Sequence, residues 1–263
     1  MPFFDYSHPR VFAHRGGCAL GPENTLAAFD LGLAARADGL EFDVHLSADG
    51  IPVVCHDPTL DRTTDSSGPV AAFTAAELAR VDAAYRFSPG GGRYPFRNQG
   101  VGVPTMREVL RRYPDLLVIA EMKVDSPEIG RRVADEIRAA GAVDRVCVAG
   151  FGALSMREVR QSLPEVATSA CRAEVRLALY RSWVGWPVRH AAYGGYLVPE
   201  ISGWLRVVSP RFIRHAHEHG RKVEVWTVDT REDMHRMLMW GVDGLISNRP
   251  DLAVQVRDEH VRR

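Results

Sequence analysis

The chain has 263 residues, of which 46% are hydrophobic and 25% charged, and its formal net charge at pH 7 is zero. This composition is typical of a globular protein, and the length fits either one α/β barrel or two average domains. The balanced charge, with no basic cluster interleaved with aromatic residues, excludes the electrostatic pattern of a nucleic-acid-binding protein.

The N-terminal residues and the cysteines indicate where the protein works. The start, MPFFDYSHPR, has no basic region followed by an apolar run, so we expect no signal peptide. No apolar stretch approaches the roughly 20 residues of a membrane-spanning helix. Cys18, Cys55, Cys147 and Cys171 lack zinc-site or CxxC spacing, which is typical of reduced, mostly buried thiols. We therefore expect a soluble, cytoplasmic protein, and the sequence leaves transient contact with a membrane surface and the oligomeric state open.

Short apolar strands alternate with helices along most of the chain. The predicted strands are 11–14, 39–46, 116–122, 145–149, 166–170, 195–198, 223–228 and 244–246. The predicted helices include 24–37, which Gly39 would end, and 106–113, 127–140, 154–162, 210–219 and 231–240. This alternation favours a parallel sheet closed as a TIM (β/α)8 barrel. The alternative, an open doubly wound sheet, would call for a GxGxxG turn after the first strand, where the sequence instead reads HRGG.

A polar interval rich in proline and glycine, from about 58 to 103, interrupts the alternation. Its one predicted helix, 74–81, begins with Thr74 as N-cap and Glu77 at the capping-box position. The predicted strands continue on both sides, so we expect a single domain over 1–263 with an insertion rather than a disordered linker. The insertion should cap the barrel mouth and help to choose the alcohol portion of a substrate.

Acidic residues stand near the ends of two predicted strands. Side chains two apart on a strand point the same way, so Glu41 and Asp43 share a face and Phe42 takes the other. Glu121 and Lys123 obey the same rule on the next barrel strand. A surface ion pair is the alternative for these two, but the run before them is almost wholly apolar. Clustered carboxylates suit Mg²⁺ or Ca²⁺, and barrel enzymes carry their chemistry at strand C-termini, so we expect a divalent metal here.

Two histidines, His14 and His56, each follow an apolar run. Histidine can take up and release a proton near neutral pH, so a pair beside a metal indicates acid–base cleavage of a phosphate ester. Asn24 has two interpretations, as a member of this site or as a helix N-cap. Three further histidines, at 215, 217 and 219, are expected on the solvated face of a helix rather than in a metal site.

These motifs, taken in order, resemble the glycerophosphodiester phosphodiesterase family. The matching stretches, between about 11 and 252, are HRG at 14–16, PENT at 22–25, Glu41-x-Asp43, Asp49-Gly50, HDPTLDRTT at 56–64, Pro104-Thr105, EMK at 121–123, WTV at 226–228 and Asp243-Gly244. The resemblance implies a TIM barrel with an insertion after the second strand. It also implies roles for individual residues. His14 and His56 would be the proton carriers, and the ligands of a divalent metal would be Glu41, Asp43 and Glu121. Arg15 and Lys123 would bind phosphate, and Trp226 would lie beside the substrate's alcohol portion.

Several alternatives stay open at this point. Trp226 fits equally well as a core aromatic residue. Either histidine could be the base, and either water or a neighbouring glycerol hydroxyl could attack the phosphorus. The leading function is hydrolysis of glycerophosphodiesters to an alcohol and glycerol 3-phosphate.

The competing functions depend on the aromatic-rich stretch 177–204 and on the completeness of the motifs. Lysophospholipase D-like cleavage of lysophospholipids is an alternative if this stretch forms an apolar wall for acyl chains rather than ordinary core packing. A non-catalytic phosphate- or lipid-binding barrel is a third possibility. It would require a missing catalytic residue, and none is missing.

Overall fold

The computed structural model describes residues 2–189 and 191–262. Its strands are β1 Arg10–His14, β2 Gly39–Leu46, β3 Pro52–Val54, β4 Leu117–Met122, β5 Val146–Gly150, β6 Ala167–Thr168, β7 Gly195–Pro199, β8 Ile201–Ser202, β9 Leu205–Arg206, β10 Lys222–Trp226 and β11 Gly244–Ser247. Its helices are α1 Leu26–Ala34, α2 Ala75–Leu78, α3 Met106–Arg112, α4 Pro127–Ala139, α5 Ala153–Ser162, α6 Arg172–Val184, α7 Pro210–Glu218, α8 Arg231–Trp240 and α9 Pro250–Val261.

The parallel strands form a barrel. Neighbouring strands follow the order β6-β5-β4-β2-β1-β11-β10-β7. The two ends of this path meet where Ser169, just after β6, pairs in parallel with Gly195 at the start of β7. Strand β3 pairs antiparallel with β2, and β8 and β9 form a separate hairpin. The TIM-barrel prediction is confirmed, and each of the eight predicted strands has its counterpart in the described residues.

Alternation along each strand divides the core into an inner and an outer layer. Phe42 packs outward against Phe29 of α1, with ring centroids 6.0 Å apart, while its neighbours Glu41 and Asp43 face the inside. Both faces are covered, so β2 is buried along nearly its whole length. Phe3 and Phe4 near the N-terminus pack against the interior side chains. The polar residues inside the barrel are therefore shielded from water except near the strand C-termini.

The prediction that Gly39 ends the first helix is wrong. Helix α1 ends at Ala34, the backbone turns at Arg36 with φ of 65°, and Gly39 is the first residue of β2. A Cβ atom at Gly39 would lie 2.6 Å from the carbonyl oxygen of Leu117 and 2.7 Å from the Phe12 ring. Glycine is thus required by the close packing of neighbouring strands, not by a helix C-cap.

Helices α6 and α9 were not among the predicted helices. Helix α6 buries Ala178, Leu179 and Ser182 but also carries Leu177 and Tyr180 on its exposed face. A helix that is apolar on both sides gives no amphipathic period, so the pattern could not identify it. No helix in the described ranges is long and apolar enough to cross a membrane.

The 58–103 insertion has its own small core. Leu60, Val70, Leu78 and Val81 are buried in one apolar cluster with β3. Helix α2 spans only Ala75–Leu78, shorter than the predicted 74–81, but Thr74 and Glu77 form the expected capping box. The insertion therefore packs as a folded unit on the β3 side of the barrel.

Candidate active site

Strand register brings the acidic residues together. In the parallel pairing of β1 with β2, His14 stands beside Glu41. In the pairing of β2 with β4, Asp43 stands beside Glu121. Carboxylate oxygens of Glu41, Asp43 and Glu121 lie within 4.8 Å of one another. Residues predicted from three separate stretches thus share one site at the C-terminal end of the barrel.

The charges in this cluster are not balanced by protein groups alone. Burial, followed by the neighbouring Asp43, raises the pKa of Glu41 well above its usual range. Burial would also raise the pKa of Asp43, but the Lys123 ammonium and the Arg15 guanidinium outweigh it and lower that pKa. Burial raises the pKa of Glu121 despite the adjacent Lys123. Three close carboxylates have only two cations beside them, so the cluster lacks positive charge when all three are ionised. A divalent ion would supply that charge, and the oxygen donors are those that hard divalent ions prefer.

The two cations lie within the carboxylate cluster. Lys123 Nζ is 2.9 Å from Glu121 Oε1 and 3.3 Å from Asp43 Oδ1. The backbone N–H of Arg15, whose φ is 50°, donates to Glu41 Oε2 at 2.9 Å, and its Nη1 donates to Glu23 at 3.0 Å. Arg15 Nε is buried, 3.4 Å from Asp43 Oδ2, and makes no hydrogen bond to the described residues. The Arg15 guanidinium is therefore shared between Glu23 and Asp43.

His14 is oriented by an amide. Its Nδ1 lies 2.6 Å from Asn248 Oδ1, and Asn248 Nδ2 in turn donates to Asp229 at 2.6 Å. Because that amide nitrogen is committed to Asp229, its oxygen faces the ring, so His14 Nδ1 carries the proton. Burial lowers the pKa of His14, which favours the neutral ring. The free Nε2 points towards the carboxylates, 3.9 Å from Glu41 Oε2.

His56 is oriented by a carboxylate. Its Nδ1 lies 2.6 Å from Asp57 Oδ1, and Asp57 also accepts from Arg62 Nε at 2.5 Å. Hydrogen bonding from Arg62 is the main reason that the pKa of Asp57 is lowered to about 2, so this carboxylate stays ionised near neutral pH. The His56 ring lines the same cavity as the three clustered carboxylates.

The interpretation of Asn24 as a helix N-cap is wrong. Thr25 caps α1, with its hydroxyl accepting from the backbone N–H of Ala28 at 3.2 Å. Asn24 instead has φ of 59° and hydrogen-bonds Asp43. The solvated-face prediction for 215, 217 and 219 also needs correction, because His215 is buried and its Nε2 donates to the Trp186 carbonyl at 2.8 Å.

A cavity of about 710 Å³ extends from the charged cluster. Its far wall comes from α6 and the β8–β9 hairpin, and the apolar side chains that line it there include Val175, Leu179, Trp204 and Leu205. No described residue of the 58–103 insertion lines this cavity. This lining gives no support to the expectation that the insertion caps the mouth, and helix α6 with the hairpin forms the apolar wall.

Trp226 stands at the last position of β10 and lines the cavity. Its ring meets Phe151 edge to face, with centroids 6.1 Å apart. The same ring also packs on the apolar interior of the barrel. The packing agrees with the interpretation of Trp226 as a core aromatic residue, and its role beside a substrate stays a prediction.

Several residues at the site had no predicted role. Asn248 and Asp229 orient His14, while Asp57, Arg62 and Glu23 form a chain of ion pairs beside His56. Asn248 directly follows β11, so it carried the same signal of a polar residue at a strand end that identified His14. Of the ion-pair chain, the sequence shows only that Asp57 is next to His56. Glu23 and Arg62 are far apart in the sequence and meet only in the folded chain.

Known proteins resemble this chain in sequence and in fold. The model of the glycerophosphoryl diester phosphodiesterase family matches residues 14–252. A glycerophosphodiester phosphodiesterase of Caldanaerobacter subterraneus subsp. tengcongensis is 32% identical, over 94% of this chain and 96% of its own. The glycerophosphoryl diester phosphodiesterase domain of an uncharacterized Mycobacterium tuberculosis protein has a TM-score of 0.83 at 23% identity, covering 95% of this chain and all of its own, and this likeness concerns the fold.

A further solved structure is that of an Oleispira antarctica phosphodiesterase in complex with its product sn-glycerol-3-phosphate. It has a TM-score of 0.75 at 25% identity and covers 95% of this chain and 97% of its own.

Proposed function

This chain belongs to the glycerophosphoryl diester phosphodiesterase family and is a glycerophosphodiester phosphodiesterase, and we propose that it cleaves its substrates by metal-dependent acid–base catalysis with His14 and His56. The observation that carries the proposal is that both imidazoles line one cavity with the carboxylates of Glu41, Asp43 and Glu121. The products would be an alcohol and glycerol 3-phosphate, the product bound by the Oleispira relative.

Glu41, Asp43 and Glu121 would hold the metal. Their oxygen-only donor set suits Mg²⁺ or Ca²⁺. When bound, the ion would supply positive charge to the phosphate oxygens of the substrate. The protein's own part is to keep the three carboxylates together, which Lys123 and Arg15 support by lying between them.

The two histidines would move the protons. Asn248 holds the proton on His14 Nδ1, which leaves Nε2 free to accept or donate one towards the substrate. Asp57 holds His56 through Nδ1 in the same way. One ring takes the proton of the attacking oxygen, from water or a glycerol hydroxyl, and the other protonates the departing alcohol. The guanidinium of Arg15 and the ammonium of Lys123, which both line the cavity, would bind phosphate oxygens.

The apolar wall supports a second candidate substrate class. Leu179, Trp204 and Leu205 line the cavity away from the charged cluster, where a small polar diester has no apolar group to place. Lysophospholipase D-like cleavage of a lysophospholipid would bury an acyl chain there. We also propose a cytoplasmic location, which the four free cysteines support because reduced thiols persist in that compartment.

The test is product analysis with two matched substrates. Purified protein with Mg²⁺ or Ca²⁺ is given glycerophosphocholine or lysophosphatidylcholine, and released choline is measured together with glycerol 3-phosphate or its acylated form. We expect both products from glycerophosphocholine. Absence of hydrolysis for every glycerophosphodiester headgroup tried would contradict the main function. Absence of choline release from lysophosphatidylcholine alone would remove only the second candidate.

A further inference from the structure

The outer face of α6 exposes large apolar side chains. Leu177, Tyr180, Trp183 and Val184 lie on this face, each with at least 45% of its surface exposed. Their spacing of three and four residues makes them one stripe, since such residues are neighbours on a helix. Two more tryptophans are exposed beyond α6, Trp186 at 69% exposure and the fully exposed Trp204 on the β8–β9 hairpin. We call this set of six residues the aromatic rim.

The backbone beneath the rim is firmly held. Arg211 on α7 donates through Nε to the carbonyl of Ser182 at 2.8 Å, and His215 donates to the carbonyl of Trp186 at 2.8 Å. The Tyr180 and Trp183 rings meet edge to face with centroids 5.2 Å apart. The rim is therefore an ordered surface, which loses little conformational entropy on binding a partner.

The rim lies in a basic part of the chain. Residues 172–214 contain seven arginines, two glutamates and no lysine or aspartate, in a protein with zero formal net charge. Both glutamates are paired, Glu174 with Arg160 and Glu200 with Arg206 and Arg236. Arg172, Arg176 and Arg181 form no ion pair with residues 2–189 or 191–262. Positive charge is thus left over beside exposed tryptophans.

The rim also borders the active-site cavity. Trp204 belongs to both, and Arg172 and Arg176 line the cavity from the first turns of α6, the helix that carries the rim. A surface that contacts Trp204 is therefore brought next to the cavity. This continuity connects the surface to the enzyme's substrates.

We propose that the aromatic rim docks on the surface of an anionic phospholipid membrane, so that the cavity mouth opens at the lipid–water interface. Tryptophan and tyrosine favour the headgroup level, and arginines beside them are attracted to anionic lipids. A second copy of this chain fits less well, because its own basic rim would repel the first. The contact extends the proposed function but does not depend on it, because docking needs neither the metal nor the histidines.

The test is vesicle co-sedimentation with matched variants. Vesicles of phosphatidylcholine alone are compared with vesicles of phosphatidylcholine and phosphatidylglycerol. We expect binding only to the anionic vesicles and weaker binding at high salt. The double substitution Trp183→Ser with Trp186→Ser, and separately Arg181→Glu, should weaken it about tenfold or more. The control Met239→Ser removes an equally exposed apolar residue on α8 and should bind like wild type.

Each alternative outcome overturns the proposal. These outcomes are no sedimentation with either vesicle, equal binding to both, or unchanged binding by the rim variants. Concentration-dependent dimerisation that the tryptophan substitutions abolish would identify a second copy as the occupant. None of the substituted residues lines the cavity. The rate of each variant on glycerophosphocholine in solution therefore shows whether it is folded and active, independently of its binding to vesicles. A failure of docking is thereby distinguished from a failure of catalysis.

Discussion

Asn24 and Asp43 are joined by two hydrogen bonds. The Asn24 side chain donates through Nδ2 to Asp43 Oδ2 at 2.9 Å, and its Oδ1 accepts from the backbone N–H of Asp43 at 3.2 Å. Both residues are buried, and Asn24 has φ of 59°, a conformation that asparagine tolerates better than most residues. A loop residue thus fixes both the strand position and the side-chain orientation of a proposed metal ligand.

Asn24→Ala should weaken metal-dependent activity. Loss of the group that orients a metal ligand typically lowers metal affinity or activity about 10- to 100-fold, and we expect that range in kcat/KM and in the metal concentration for half activity. Thr25→Ala is the matched control. It removes the cap of α1 and should cost about 1 kcal/mol of stability while leaving the metal titration unchanged. Superimposable metal titrations for Asn24→Ala and wild type would show that Asn24 does not support the site.

His14→Ala and His56→Ala should each slow hydrolysis of glycerophosphocholine by a factor of about 10² to 10⁴, since each removes one proton transfer. A glycerophosphodiester with a p-nitrophenol leaving group needs no general acid, so the variant that lacks the acid should recover most of its rate on it. His217→Ala, which removes an exposed histidine paired with Asp243, is the control. A folded variant with the wild-type rate on glycerophosphocholine would exclude that histidine from the mechanism.

Glu224 should make folding stability depend on pH. Its side chain is fully buried inside the barrel, Tyr6 donates to Oε1, and Oε2 has no partner among the described residues. Burial raises the pKa of Glu224 from 4.5 to about 8, so the folded protein keeps a proton that the unfolded chain loses above pH 4.5. The stability that the neutral carboxyl contributes is therefore lost as the pH rises from about 4.5 through 8.

The Glu224→Gln variant isolates this effect, because glutamine is neutral at every pH. Unfolding free energies from guanidinium titrations at about pH 5 and about pH 9 would be compared between the two proteins. We expect wild type to lose stability relative to the variant over this interval. If the difference between the two proteins is the same at both pH values, the carboxyl is ionised in the folded state and our assignment is wrong.

Local sequence pattern was sufficient to predict the strands and the clustered acids. Alternation alone put Glu41 and Asp43 on one face, and the apolar run before Glu121 identified a buried strand that ends in charge. The barrel then brings these residues together, because neighbouring parallel strands end at the same edge of the sheet.

Features that depend on tertiary contacts could not be predicted in this way. Gly39 resembled a helix C-cap, and only the nearby Leu117 carbonyl and Phe12 ring explain why glycine is needed there. Asn24 and the neighbouring Thr25 were both possible N-caps of the first helix. Only the folded structure shows that Thr25 is the cap and that Asn24 hydrogen-bonds Asp43. The stretch 177–204 was recognised as a possible apolar wall, but helix α6 within it was not predicted, because a helix that is apolar on both faces has no readable period.

The most direct test of the proposed mechanism is glycerol 3-phosphate release from glycerophosphocholine by protein dialysed against a strong chelator. We expect the chelated protein to be inactive and Mg²⁺ or Ca²⁺ to restore the rate, whereas Glu121→Gln, which removes one of three clustered carboxylates, should need far more metal. A full rate from the chelated protein, with no metal found by elemental analysis, would contradict metal-dependent hydrolysis at this site.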